Sequence, residues 1–222
     1  MVAQTRLAVL PDIEGLRKLT QSLAMLDAVM SPEWEYRYHS FDSKWGEGEM
    51  MASMRNGSGD EYFILFNSNG AILKGFDHES AMSPWSAEEE KLWPGIFDNV
   101  PDEFQSFLSE PAFSIQETTF CIWRRYTDSS WQVGTIDYPD EEDPDGSEHL
   151  LSILDGRPST YIELAKSCYE KTLDVEAVEQ IYRHRPLTNE IVARLNDEIT
   201  LESLLPDVEE IAYPGADEIS ND

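Results

Sequence analysis

The chain has 222 residues, 41% of them hydrophobic, with six Trp, nine Tyr and nine Phe. That is enough apolar surface for a real core, and too many aromatics for a disordered acidic chain. Asp and Glu number 44 against 16 Lys and Arg, a formal net charge of −28, which repels nucleic-acid phosphates and anionic membranes and attracts basic partners.

The acidity is uneven. Residues 137–222 hold 23 of the 44 acidic side chains but only 6 of the 16 basic ones. No apolar run nears the ~20 residues that span a bilayer. Met1 to Leu10 has neither a basic region nor a long apolar stretch, so the expected location is cytoplasmic, with Cys121 and Cys168 as reduced thiols.

Asp12 to Met30 predicts a helix. Pro11 and Asp12 give the start signal, and Ile13, Leu16, Leu19, Leu23, Leu26 and Met30 recur at helical spacing as one apolar stripe. Ser31-Pro32 ends it. Trp34 to Phe41 alternates, with Trp34, Tyr36 and Tyr38 opposite Glu35, Arg37 and His39, and predicts a half-buried strand. Residues 42–50 read as a loop.

Met50 to Arg55, Tyr62 to Phe66 and Ala71 to Phe76 predict three antiparallel strands. NGSG and Asn67-Ser68-Asn69-Gly70 supply the turns between them. The unbroken run YFILF suits a strand covered on both faces. Ser86 is expected to cap a short helix with Glu88 to Glu90 in its first turn, and Pro101 to start another carrying Phe104, Phe107 and Leu108. Ser114 to Tyr126 and Trp131 to Ile136 predict a hairpin.

Residues 137–146, DYPDEEDPDG, form a charged loop and the best internal boundary. Helical patterns follow it, punctuated by Gly156, Pro158, Pro186 and Pro206. The tail, 214–222, is expected to be disordered. The fold class is α+β: a mostly antiparallel sheet with the N-terminal helix packed on it, helices on one face, and a helical C-terminal third. Residues 1–213 read as one domain, with a sub-boundary at 137–146.

Asp77-His78-Glu79-Ser80 is the main chemical candidate. A His between two carboxylates can serve as a general base, so a hydrolase working through Asp77, His78 and Glu79 is the alternative to a binding protein. Asp140 to Glu148 suggests a calcium loop, with Gly146 at position 6 and Glu141, Asp143 and Asp145 at positions 1, 3 and 5. Position 12 is Ser152, where a bidentate Glu is needed. No metal or cofactor is therefore expected. His39, His149 and His184 stand alone, and no nucleotide, zinc-protease or nucleophile-elbow motif occurs. Arg183-His184-Arg185 and Arg124-Arg125 read as internal ion-pair partners.

The expected partner is a basic protein, docked on Asp140, Glu141, Glu142, Asp143 and Asp145, with Trp45 and Trp85 as aromatic anchors. VPDEFQSFL, Val100 to Leu108, resembles the short proline-led helix of the SMI1/KNR4-like (SUKH) superfamily, and the acidic, motif-poor character resembles bacterial immunity proteins. That resemblance implies binding and blocking of a toxin, without catalysis or cofactor.

Overall fold

The computed structural model describes Leu7, residues 10–86 and residues 91–215. Helix α1 spans Ile13–Met30. Its N-cap is Asp12, whose Oδ1 accepts the Gly15 amide at 2.7 Å. Among the described residues six strands follow: β1 (His39–Gly46), β2 (Glu49–Arg55), β3 (Glu61–Asn67), β4 (Gly70–Phe76), β5 (Phe120–Arg125) and β6 (Gln132–Val133). They form one antiparallel sheet in simple sequence order. Helix α2 (Gln105–Ser109) lies between β4 and β5. After the sheet come α3 (Ser147–Leu150), α4 (Pro158–Cys168), α5 (Val175–Tyr182), α6 (Asn189–Leu195) and α7 (Leu205–Ile211). The class is α+β, as expected.

Two cores lie on opposite faces of the sheet. Phe41, Ala52, Met54, Tyr62, Ile64, Phe66, Leu73 and Ile122 pack against α1 and the C-terminal helices. Met51, Phe63, Leu65, Ile72, Cys121 and Trp123 pack against Ile96, Phe104, Phe107 and Phe113. Helical cover on one face alone is too simple, because Met82, Ile96, Phe104, Phe107 and Phe113 form a third layer on the other. This explains YFILF: alternate side chains enter different cores, so all five present large apolar bodies, the Tyr62 hydroxyl being the one polar atom among them.

The single stripe expected on α1 is also too narrow. Every residue from Leu19 to Met30 is buried, because β1 lies on one side and α5, α6 and α7 on others. The polar groups this buries are matched. Gln21 Nε2 donates to the Ile211 carbonyl at 2.8 Å and Ser22 Oγ to that of Ile181 at 2.9 Å. The same core joins α1 to α4–α7, so residues 137–146 do not separate two cores.

Four local expectations change. Trp34–Tyr36 is a 3₁₀ turn, not a strand, and β1 begins at His39 and runs through residues read as loop. The cause is Arg37: its guanidinium donates to the Ser31 and Pro32 carbonyls and pairs with Asp207, folding the chain back after α1. Residues 114–119 are loop rather than strand. There the Ser114 and Glu117 carbonyls accept from buried Lys74 Nζ at 3.3 and 2.8 Å. The strand after the turn shrinks to Gln132–Val133. Finally, Pro214 and Gly215 are tied to Leu187 by a backbone hydrogen bond and a parallel bridge, and the remainder of the expected tail lies outside the described residues. So do residues 87–90, the first turn expected after Ser86.

Candidate functional site

The hairpin β3–β4 builds the site. Its register pairs Glu61 with Phe76, so the next pair outward is Asp60 and Asp77. The Asn56 side chain shapes the loop before β3: Oδ1 accepts the Ser58 and Asp60 amides at 2.8 and 3.1 Å, while Nδ2 donates to Asp60 Oδ2 at 2.6 Å. The other oxygen, Oδ1, accepts the His78 amide at 3.1 Å and lies 2.6 Å from its Nδ1. Carboxylate oxygens of Asp60 and Asp77 and a ring nitrogen of His78 lie within 4.8 Å of one another.

The electrostatics follow. The hydrogen bond to Asp60 is the main cause holding the His78 imidazole above its usual range. Burial pushes the Asp60 carboxyl up, but its hydrogen bonds from His78 and Asn56, with the charge of His78, together outweigh that and leave it low. Burial raises Asp77, and the charge of Asp60 raises it further. Because ionised Asp60 only accepts, Nδ1 carries a proton, and in the neutral ring Nε2 holds the free lone pair. Glu79 is 86% exposed at its side chain, with Oε1 4.0 Å from that Nε2.

Of the expected trio, His78 and Asp77 are thus held together, while Glu79 stays at the rim. Asp60 escaped the sequence reading. Hairpin counting outward from the Ser68-Asn69 turn would have found it. Among the described residues no Ser, Thr or Cys side chain bonds to His78.

The acidic loop divides. Asp140, Glu141 and Glu142 are exposed. Asp143 turns its carboxylate inward, accepting the Glu148 and His149 amides at 3.0 and 2.9 Å. Asp145 is 3% exposed, and its Oδ1 accepts from the amide and hydroxyl of Ser147. Asp145 therefore cannot meet a partner, and Asp143 is occupied as a cap. The loop is anchored rather than free: the Asp145 carbonyl accepts Thr119 Oγ1 at 2.7 Å, and the Pro144 carbonyl accepts the Met82 amide at 3.0 Å.

The tryptophans divide too. Trp45 stacks on Phe113 at 5.5 Å between ring centroids and lies partly buried against the second core. Trp85 is about half exposed, with its edge on Phe76. Trp131 is buried and donates to the Pro11 carbonyl. The largest exposed rings are ones the sequence assigned to a strand: Trp34 at 56% and Tyr36 at 64%. Arg183 and Arg125 are ion-pair partners as expected, with Glu179 and Asp128.

Comparison with protein-family models, curated proteins and solved structures finds no match for this chain. No helix among the described residues is long and apolar enough to cross a membrane.

Proposed function

We propose that this chain is a non-enzymatic binding module that docks a basic protein, in its concrete form an immunity protein that neutralises a basic toxin. The observation that carries the reading is the Trp34–Tyr36 turn. Two large rings stand more than half exposed on backbone clamped by Arg37 through Ser31, Pro32 and Asp207. Exposed rings on a rigid turn offer contact area at little entropic cost, which suits interface anchors. Glu33 and Glu35 flank them on the same turn, exposed, and the chain carries −28 overall. A basic partner fits that rim, and the field speeds its approach.

The test compares wild-type protein with Trp34→Ser/Tyr36→Ser as bait in lysate of the source organism, followed by binding kinetics on the captured protein. A basic partner whose association slows with salt, and whose affinity falls about 30-fold or more in the variant, supports the reading. An unchanged affinity removes this turn from the interface. The Asp60–His78 hydrogen bond favours a second reading, a hydrolase in which Nε2 of His78 activates water. If His78→Ala keeps full activity on every ester or phosphoester the wild type cleaves, that reading is lost.

A further inference from the structure

We infer that Asp60, Asp77 and His78 bind one divalent transition-metal cation of the zinc class, with Glu79 as a mobile fourth ligand. The inference is independent of the protein-docking reading and uses none of its residues.

The ligand atoms are already gathered. Two carboxylate oxygens and an imidazole nitrogen lie within 4.8 Å of one another. Zinc bonds to nitrogen and oxygen are about 2.0–2.2 Å long, so ligand atoms around one ion lie about 3–4 Å apart. Binding through Nδ1 releases to solvent the proton it shares with Asp60, and small side-chain shifts close the remaining difference. Glu79 Oε1 starts 4.0 Å from His78 Nε2 on a side chain that is 86% exposed.

The ligands are also held. Asp60 is oriented by Asn56 and by the His78 amide. Asp77 Oδ1 accepts the Glu79 amide at 3.0 Å. Behind it stands Gly146, at φ +74, where a Cβ would fall 2.3 Å from Asp77 Cβ. The buried 144–147 loop therefore braces Asp77 through a contact that glycine permits. Little ordering remains to be done on binding.

The charge balance calls for a cation. Two partly buried carboxylates share the site with one imidazole, and like charges so close repel. A divalent ion offsets both, within a chain that already carries −28. An imidazole among carboxylates selects zinc-class ions, whereas calcium and magnesium favour all-oxygen sites.

The test is metal uptake by the full chain after treatment with chelator, titrated with Zn²⁺ by calorimetry and with Co²⁺ by visible absorption near neutral pH. The expected result is one site per chain, a rise in Tm with metal, and at least tenfold weaker uptake in His78→Asn and in Asp77→Asn. Glu141→Gln/Glu142→Gln, on the exposed loop, should bind as wild type does. Absence of heat and of a Tm shift at millimolar Zn²⁺ overturns the inference, as does uptake by His78→Asn equal to wild type, which means diffuse binding to surface acids. Circular dichroism checks each variant, and if His78→Asn does not fold, Asp77→Asn decides by the same criterion.

Discussion

Asp27 holds His39 twice through one carboxylate oxygen, which accepts the His39 amide at 2.6 Å and lies 3.0 Å from its Nδ1. The other oxygen accepts the Tyr161 hydroxyl at 2.6 Å. All three residues are almost wholly buried. The carboxylate thereby ties α1, the first residue of β1 and helix α4 together. Asp27→Ala leaves an imidazole nitrogen, an amide and a phenol without their acceptor. We expect a loss of about 3 kcal/mol or more in unfolding free energy by urea titration. A loss below about 1 kcal/mol would show that the cluster repacks around the gap.

Two tyrosines in the same region should respond in opposite ways. Tyr161 donates to Asp27, and burial, with Asp27 adding to it, keeps its phenol protonated. Tyr62 is equally buried, yet its hydroxyl has no hydrogen-bond partner among the described residues. Tyr161→Phe should cost about 1.5–3 kcal/mol, the range for a hydrogen bond to a charged group. Tyr62→Phe removes an unmatched polar atom and keeps the ring, so its Tm should hold or rise. A clear fall in Tm for Tyr62→Phe would mean that the hydroxyl is satisfied in solution.

The sheet-forming runs were legible because burial writes itself into apolar patterns: YFILF announced a strand covered on both faces, and the Asn-Gly turn fixed the β3–β4 register. Extended one pair outward, the same register sets Asp60 opposite Asp77 and beside His78, so Asp60, missed in the sequence, was open to counting from that turn. What stayed hidden depends on contacts distant in sequence. Trp34 to Tyr38 alternates like a strand, but the Arg37 ion pair with Asp207 overrides that local pattern. Asp145 reads as one more surface acid, and only the packing of its loop on Thr119 and Met82 shows it to be buried. The Asp27 cluster gave no signal, since a lone Asp in a helical stripe has the same spelling whether it meets solvent or a buried tyrosine.

Gly75 shows how closely one cross-strand row is packed. It pairs with Tyr62 on one side and Phe120 on the other, and a Cβ there would fall 2.0 Å from the tip of the Phe120 ring. The ring leans over the glycine, so Gly75→Ala must displace a buried phenylalanine. We expect a cost of about 1–3 kcal/mol from overpacking, measured by urea unfolding. In Phe120→Leu the added methyl should cost less, and a double-mutant cycle reads that coupling. Equal costs in both backgrounds would place the strain elsewhere.

His184 should make stability fall in mild acid. Its Nε2 lies 2.8 Å from the Lys18 carbonyl, which can only accept, so Nε2 carries a proton in the neutral ring. The ring packs on Tyr213 at 5.0 Å between centroids. Burial lowers its pKa, and the positive charges of Lys18 and Arg17 add to that against the hydrogen bond. A histidine with a folded pKa below its unfolded value of about 6.5 is protonated more readily in the unfolded chain. Its contribution is therefore complete above about pH 6.5 and declines as the pH falls toward the folded pKa. Imidazole NMR should give a midpoint below that of a free histidine, and unfolding midpoints should drop over the same interval. In His184→Asn, a residue that tolerates the φ of +53 found there, this part of the acid dependence should vanish. A His184 midpoint at or above the free value would reverse the sign and refute the assignment.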